Sequence, residues 1–339
     1  MTKSDAILLA RRTLLRSIGA IAVGCRRRDS KADDAPEPSP SYSPREPWAR
    51  SAGPGLEPEA GDGRPLLVEK VLEFESSPVG PERAVVVIPG WAAAGERFPV
   101  LVALHGRGEA VRGVEAGARG WMRDYELGRT IARLRAPPLT RADLKGFVDE
   151  ARLSRINASL AARPFRGLLV VCPWVPDLVN ERDRTNLDAA LPFGRFVTEQ
   201  LLPRVVAEAP ALTERAATGI DGVSLGGRVA LVVGLAHVAT FGALGTLQAA
   251  IQENEPPLLA RRARQAITDA EGLHLRLLTS DQDYFRGTIG QLHQALEAEG
   301  IAHEHLVIPG PHDYAFNRGP GGVEMLLWHD RILRGEPPL

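Results

Sequence analysis

From residue 66 onward, short apolar runs alternate with stretches in which apolar residues recur every three or four positions. The runs Leu66–Glu75, Ala84–Ile88, Val100–Leu104, Leu168–Cys172, Ala217–Ile220, Phe241–Leu247, Leu273–Thr279 and His305–Ile308 predict eight strands. Several are unbroken, as expected for strands covered on both faces. Helical periodicity falls near 193–208, 224–236, 257–271, 287–299 and 321–334. Pro256-Pro257 suits a helix start and Gly300 a helix stop. Such alternation predicts a mostly parallel sheet with helices on both faces. The short link between the first two runs predicts an antiparallel pair at one edge. Ligands in open α/β sheets collect at the carboxyl ends of strands, so chemistry is sought there.

The first 65 residues break the pattern. Arg11-Arg12 precede an apolar run, Ile18–Gly24, that ends at Cys25. A basic flank, a short apolar stretch and small residues before a cleavage position are the order of an export signal. The run is too short for a permanent membrane span. Residues 10–16 resemble a twin-arginine leader and Ala22-Val-Gly-Cys25 resembles a lipobox. Residues 1–25 are therefore expected to be an export signal, with Cys25 lipidated on a bacterial membrane. Residues 26–65 are rich in Pro, Ser, Gly and charge. They bury too little apolar area to offset chain entropy and predict a disordered tether. Residues 66–339 predict the folded domain.

Composition narrows the partners. The chain is 44% hydrophobic and 24% charged, ordinary for a globular protein. Lys plus Arg (41) balances Asp plus Glu (42), leaving net charge -1 and no reason to expect nucleic acid. Of the two cysteines, Cys25 lies in the leader and Cys172 inside a predicted strand, so no disulfide is expected. Cys172 reads as a small buried hydrophobe. Without CxxC or HExxH, no zinc site is predicted.

Gly222-Val-Ser224-Leu-Gly226 matches G-x-S-x-G and is followed by Gly227. A chain of this length holds on the order of 0.1–0.2 chance matches, so placement decides. Here a predicted strand precedes the motif and a helix-capable run follows it. That context suits a sharp turn that exposes a strained serine as nucleophile. The strand ending at Leu104 runs into His105-Gly106-Arg107-Gly108. Its backbone N–H of Gly106 or Arg107, with that of Leu225, could hold a developing oxyanion; Arg107 is preferred to Gly106.

Among eight histidines, His312 follows the last predicted strand and can reach back to Ser224 as general base. His105 reads as a support for its turn. His303 and His305 read as a half-solvated strand face rather than a metal pair. The orienting carboxylate should follow Leu273–Thr279. Asp283 is preferred because the next residues, Tyr284 and Phe285, could shield it, with Asp281 as the other candidate.

The order Ser224, Asp283, His312 is that of α/β-hydrolases. Together with Leu104-His105-Gly106, Ser280-Asp-Gln-Asp283 and Pro311-His312-Asp313-Tyr314, it resembles the esterase D-related branch, which includes feruloyl and acetyl esterases and polyester depolymerases. The resemblance spans roughly residues 66–335. It implies an α/β-hydrolase fold, nucleophile Ser224, acid Asp283 and base His312. Ser280 stands where such enzymes often have glycine. The long segment between Arg107 and Phe165 suggests a small helical cap, because loops of this length usually carry function or their own structure. Thr140-Arg-Ala-Asp143 resembles a capping box opening a helix. Trp121, Tyr125 and Trp174 are pocket candidates.

The expected activity is cofactor-free hydrolysis of a carboxylic ester on a small molecule or polymer. Acyl transfer through the same acyl-enzyme and an anchored, non-catalytic binding protein are the alternatives.

Overall fold

The computed structural model describes residues 65–178, 186–270 and 272–339. The export signal, the Cys25 lipidation site and residues 26–64 of the tether lie outside the described residues. Eight strands form one sheet: β1 (Leu67–Phe74), β2 (Glu82–Pro89), β3 (Val100–Leu104), β4 (Leu169–Pro173), β5 (Thr218–Gly222), β6 (Ala243–Leu247), β7 (His274–Gln282) and β8 (Glu304–Pro311). Their spatial order is β1-β2-β4-β3-β5-β6-β7-β8. β2 pairs antiparallel with β1 and with β4, and the remaining pairs are parallel. Each predicted strand is present, and the first two form the expected antiparallel edge.

Short helices α1 (Arg107–Ala110), α2 (Val114–Ala118) and α3 (Gly120–Arg123) follow β3, then α4 (Leu127–Arg135) and α5 (Glu150–Ala162). After β4, α6 (Leu191–Phe196) runs through a π-turn at Val197–Leu201 into α7 (Leu202–Glu208). The others are α8 (Leu225–Ala236), α9 (Pro256–Asp269), α10 (Arg286–Ala298), the single turn α11 (Tyr314–Phe316) and α12 (Gly322–Ile332).

β3 shows how the sheet divides the core. Val100, Val102 and Leu104 join the apolar cluster containing Phe193, Val229, Leu259 and Leu292 of α6, α8, α9 and α10. Leu101 and Ala103 join the opposite cluster with Trp121, Ile131, Ile156 and Trp328. Side chains on a strand alternate between faces, so one unbroken apolar run supplies both layers.

This division corrects the expectation of a cap. Leu127, Ile131 and Leu134 of α4 and Leu153, Ile156 and Leu160 of α5 are buried with the sheet and α12. The Arg152 guanidinium makes a paired contact with Glu324 on α12, at 2.7 and 2.5 Å. The insertion is thus part of the layer on one sheet face. The helix expected after Thr140 also starts later. Thr140 and Asp143 do bond reciprocally, Thr140 N donating to Asp143 at 2.8 Å and Asp143 N to Thr140 Oγ1 at 3.4 Å. Lys145 and Gly146 then take positive φ (54° and 82°), which ends the turn. α5 opens instead at Asp149, whose carboxylate accepts from Arg152 N at 2.7 Å.

Candidate active site

Ser224 sits between β5 and α8 with φ 56° and ψ -116°, a conformation that L-residues rarely adopt. The neighbouring glycines permit the turn. A Cβ on Gly222 would stand 2.5 Å from the Gly226 carbonyl carbon, and one on Gly226 would collide with Leu104 O. Backbone bonds then seat the turn on both neighbouring strands. Val223 N donates to Leu104 O at 3.0 Å, Ser224 N to Leu247 O at 2.9 Å and Ala250 N to Ser224 O at 2.9 Å.

Asp283 and His312 are joined directly. His312 Nδ1 lies 2.8 Å from Asp283 Oδ1, which also accepts from Phe285 N at 2.9 Å, while Thr279 Oγ1 donates to Oδ2 at 2.6 Å. Asp283 is 6% exposed. With both its oxygens engaged, its carboxylate can hold the imidazole in one tautomer. The Tyr284 ring stacks on His312 with centroids 4.2 Å apart, and Phe285 meets it edge-on at 5.6 Å. Asp281 does different work, accepting from Gly310 N at 2.9 Å and so fixing the end of β8. Of the two acid candidates, only Asp283 contacts the imidazole.

Among the described residues, no direct hydrogen bond joins Ser224 Oγ to His312. Two chains of contacts tie them together. In the first, Leu247 accepts from Ser224 N. The next residue, Gln248, donates to Pro311 O at 2.9 Å, one position before His312. Gln248 also donates to Ser280 Oγ at 2.6 Å, so Ser280 helps hold the loop that carries His312. In the second, Tyr314, two positions after His312, donates to Glu109 Oε1 at 2.6 Å. Glu109 accepts at Oε2 from Tyr125 Oη at 2.5 Å, and that hydroxyl accepts from Gly106 N at 3.1 Å. A Cβ on Gly106 would lie 3.7 Å from Ser224 Cβ.

The same bonds bear on the oxyanion candidates Gly106, Arg107 and Leu225. The Gly106 N–H donates to Tyr125 Oη at 3.1 Å, while Arg107 and Leu225 stand at the first positions of α1 and α8. The Arg107 side chain grips Asp177, with nitrogen–oxygen distances of 3.0, 3.2 and 3.1 Å. His105 supports its turn as expected. Val175 N donates to its Nε2 at 2.9 Å and its Nδ1 lies 2.9 Å from Gly106 O. Burial lowers its pKa to about 4, so the ring is neutral near pH 7.

The pocket candidates are also corrected. Trp121 is 1% exposed and packs on Tyr125 in the core, with ring centroids 4.7 Å apart. Tyr125, 4% exposed, spends its hydroxyl on Gly106 and Glu109. Trp174 is half-buried and pinned by donation from Nε1 to Ala110 O at 3.1 Å. Sequence reasoning missed Glu109, Thr279 and Gln248. Thr279 alone carried a signal, since it ends the predicted strand just before the acid loop. His303 Nε2 lies 2.8 Å from His293 Nδ1, and the His305 ring stacks on His293 at 4.3 Å. Among the described residues, no group of three or more His, Cys, Asp or Glu side chains is arranged to hold a metal ion. Cys172 is buried in β4, which raises its thiol pKa.

No family model matches the chain, and no curated protein matches it in sequence. Solved structures do match. One is a ferulic acid esterase, 16% identical, covering 78% of this chain and 99% of that one at TM-score 0.57. Another is the S-formylglutathione hydrolase of Staphylococcus aureus, 14% identical over 78% and 99%, TM-score 0.54. A third is a fluorophosphonate-binding serine hydrolase of the same organism, 14% identical over 78% and 98%, TM-score 0.55. With this strand order and a strained serine after β5, the chain has the α/β-hydrolase fold.

Proposed function

We propose that the protein is a serine hydrolase that cleaves a carboxylic ester through an acyl-enzyme on Ser224. The observation that carries this reading is the 2.8 Å bond between Asp283 and His312 on the rim that also holds the strained Ser224 turn. The likeness in fold to a ferulic acid esterase and a fluorophosphonate-binding serine hydrolase supports it.

In this reaction Ser224 Oγ attacks the acyl carbon and His312 Nε2 takes its proton. Asp283 holds the Nδ1–H and stabilises the imidazolium. The backbone N–H groups of Leu225 and Arg107 receive the oxyanion. The alcohol leaves with the proton from His312; water then attacks the acyl-enzyme, giving a proton to His312 Nε2, and the acid is released as Ser224 Oγ takes that proton back. The Ser224–His312 hydrogen bond must form in the substrate complex; such bonds are often long in unliganded sites.

The test is a panel of p-nitrophenyl and aryl esters of varied acyl length, run beside Ser224→Ala. Hydrolysis of at least one ester, abolished in the variant, is expected. Equal turnover by wild type and variant refutes the reading. Separately, we propose export and lipid anchoring through Cys25, on the pattern of residues 1–25. Cys25→Ser should then move the protein from the membrane to the soluble fraction; persistence at the membrane refutes the anchor.

A further inference from the structure

Glu109 belongs to neither the triad nor the oxyanion donors, yet it lies between the loops that carry them. It is 1% exposed, on the four-residue helix α1. Three donors converge on its carboxyl: Tyr125 Oη at 2.5 Å, Tyr314 Oη at 2.6 Å and the Arg112 guanidinium at 2.8 Å. Arg112 is itself held by Asp124 at 2.5 Å. The contacts are close-fitting, since a Cβ on Gly108 would approach Tyr314 Oη to 2.8 Å. An apolar side chain at position 109 would leave two tyrosine hydroxyls without their acceptor. It would also loosen the hydroxyl that holds Gly106 N–H.

We propose that Glu109 is a positioning residue that sets the distance between the oxyanion turn and the base. Through Tyr125 it fixes the Gly106–Arg107 backbone, and through Tyr314 it fixes the loop that carries His312. This rests on the serine-hydrolase reading. The turn and the base come from segments about 200 residues apart in the chain, and the carboxyl is where they are tied. Both must keep their places as the tetrahedral intermediate forms, because oxyanion stabilisation depends on donors aimed before the reaction begins.

The test uses the full chain with Glu109→Gln, Tyr125→Phe, Tyr314→Phe and the double Tyr variant. An ester turned over by wild type and a fluorophosphonate probe supply the readouts, and melting temperatures are recorded alongside. Each single variant should lower kcat by roughly 10- to 100-fold, as small misplacements of reacting groups do. KM should stay within about threefold, since ground-state binding is untouched. Phosphonylation should slow in parallel, because the tetrahedral phosphorus adduct uses the same oxyanion donors. The double Tyr variant should lose no more than Glu109→Gln, because all three changes break one linkage.

Wild-type kcat in the single variants overturns the proposal. So does a loss confined to KM, or a lower melting temperature with unchanged kcat. If Glu109→Gln does not fold, the two Phe variants decide by the same criteria. A wild type inert to ester and probe sinks the hydrolase reading and this proposal with it. An active wild type with unaltered variants sinks this proposal alone.

Discussion

Asp281 and Asp283 differ by two positions, and their surroundings give them separate work. One oxygen of Asp281 caps Gly310 N, while Asp283 meets the imidazole and Thr279. Asp283→Asn should therefore lower kcat/KM by about 10⁴-fold, because a neutral amide no longer holds the base in the required tautomer. Asp281→Asn should cost far less. Comparing kcat/KM for the two variants on one ester checks this, and equal losses would contradict the assignment. The sequence prefers Asp283 because aromatics follow it, and the structure has Tyr284 and Phe285 against His312. Glu109 was not legible in the same way. Its tyrosine partners lie 16 and 205 positions away, and nothing in its own neighbourhood marks it as an acceptor for either of them.

Strands were legible as elements because the central ones are apolar on both faces, and unbroken runs survive any uncertainty in register. Boundaries failed where polar residues are buried or backbone geometry intervenes. β2 starts at Glu82, two positions before its apolar run, because Glu82 is buried at 2% exposure despite its charge type. Among the described residues no well-formed hydrogen bond reaches either carboxyl oxygen of Glu82, and burial, opposed in part by the Arg83 backbone N–H, pushes its pKa up to about 9. The folded state therefore holds a proton there that the unfolded state releases near pH 4.5. The stability this group contributes is fully present below that pH and is lost as pH rises through about 9. Urea unfolding at about pH 5 and about pH 8 should show wild type losing more stability than Glu82→Gln on going alkaline. The same pH dependence in both proteins would contradict this account of the element. The late start of α5 was not legible either, because Lys145 adopts a positive φ without the glycine that would signal it.

At the scale of the whole molecule, the sheet order and its two apolar layers carry the site to one rim. Loops after β3, β5, β7 and β8 carry Gly106–Arg107, Ser224, Asp283 and His312, and each follows a strand predicted from apolar runs alone. The insertion between β3 and β4 was misjudged as a cap because its length is visible in sequence, whereas the face it covers is set by long-range packing with α12. The fold is shared with a ferulic acid esterase at 16% identity and an S-formylglutathione hydrolase at 14%. The most direct measurement is the mass and location of the adduct formed with a fluorophosphonate probe. The account predicts one phosphonyl group per chain, on Ser224, absent in Ser224→Ala and strongly slowed in His312→Ala. An adduct on another residue, or equal labelling of wild type and Ser224→Ala, would contradict it.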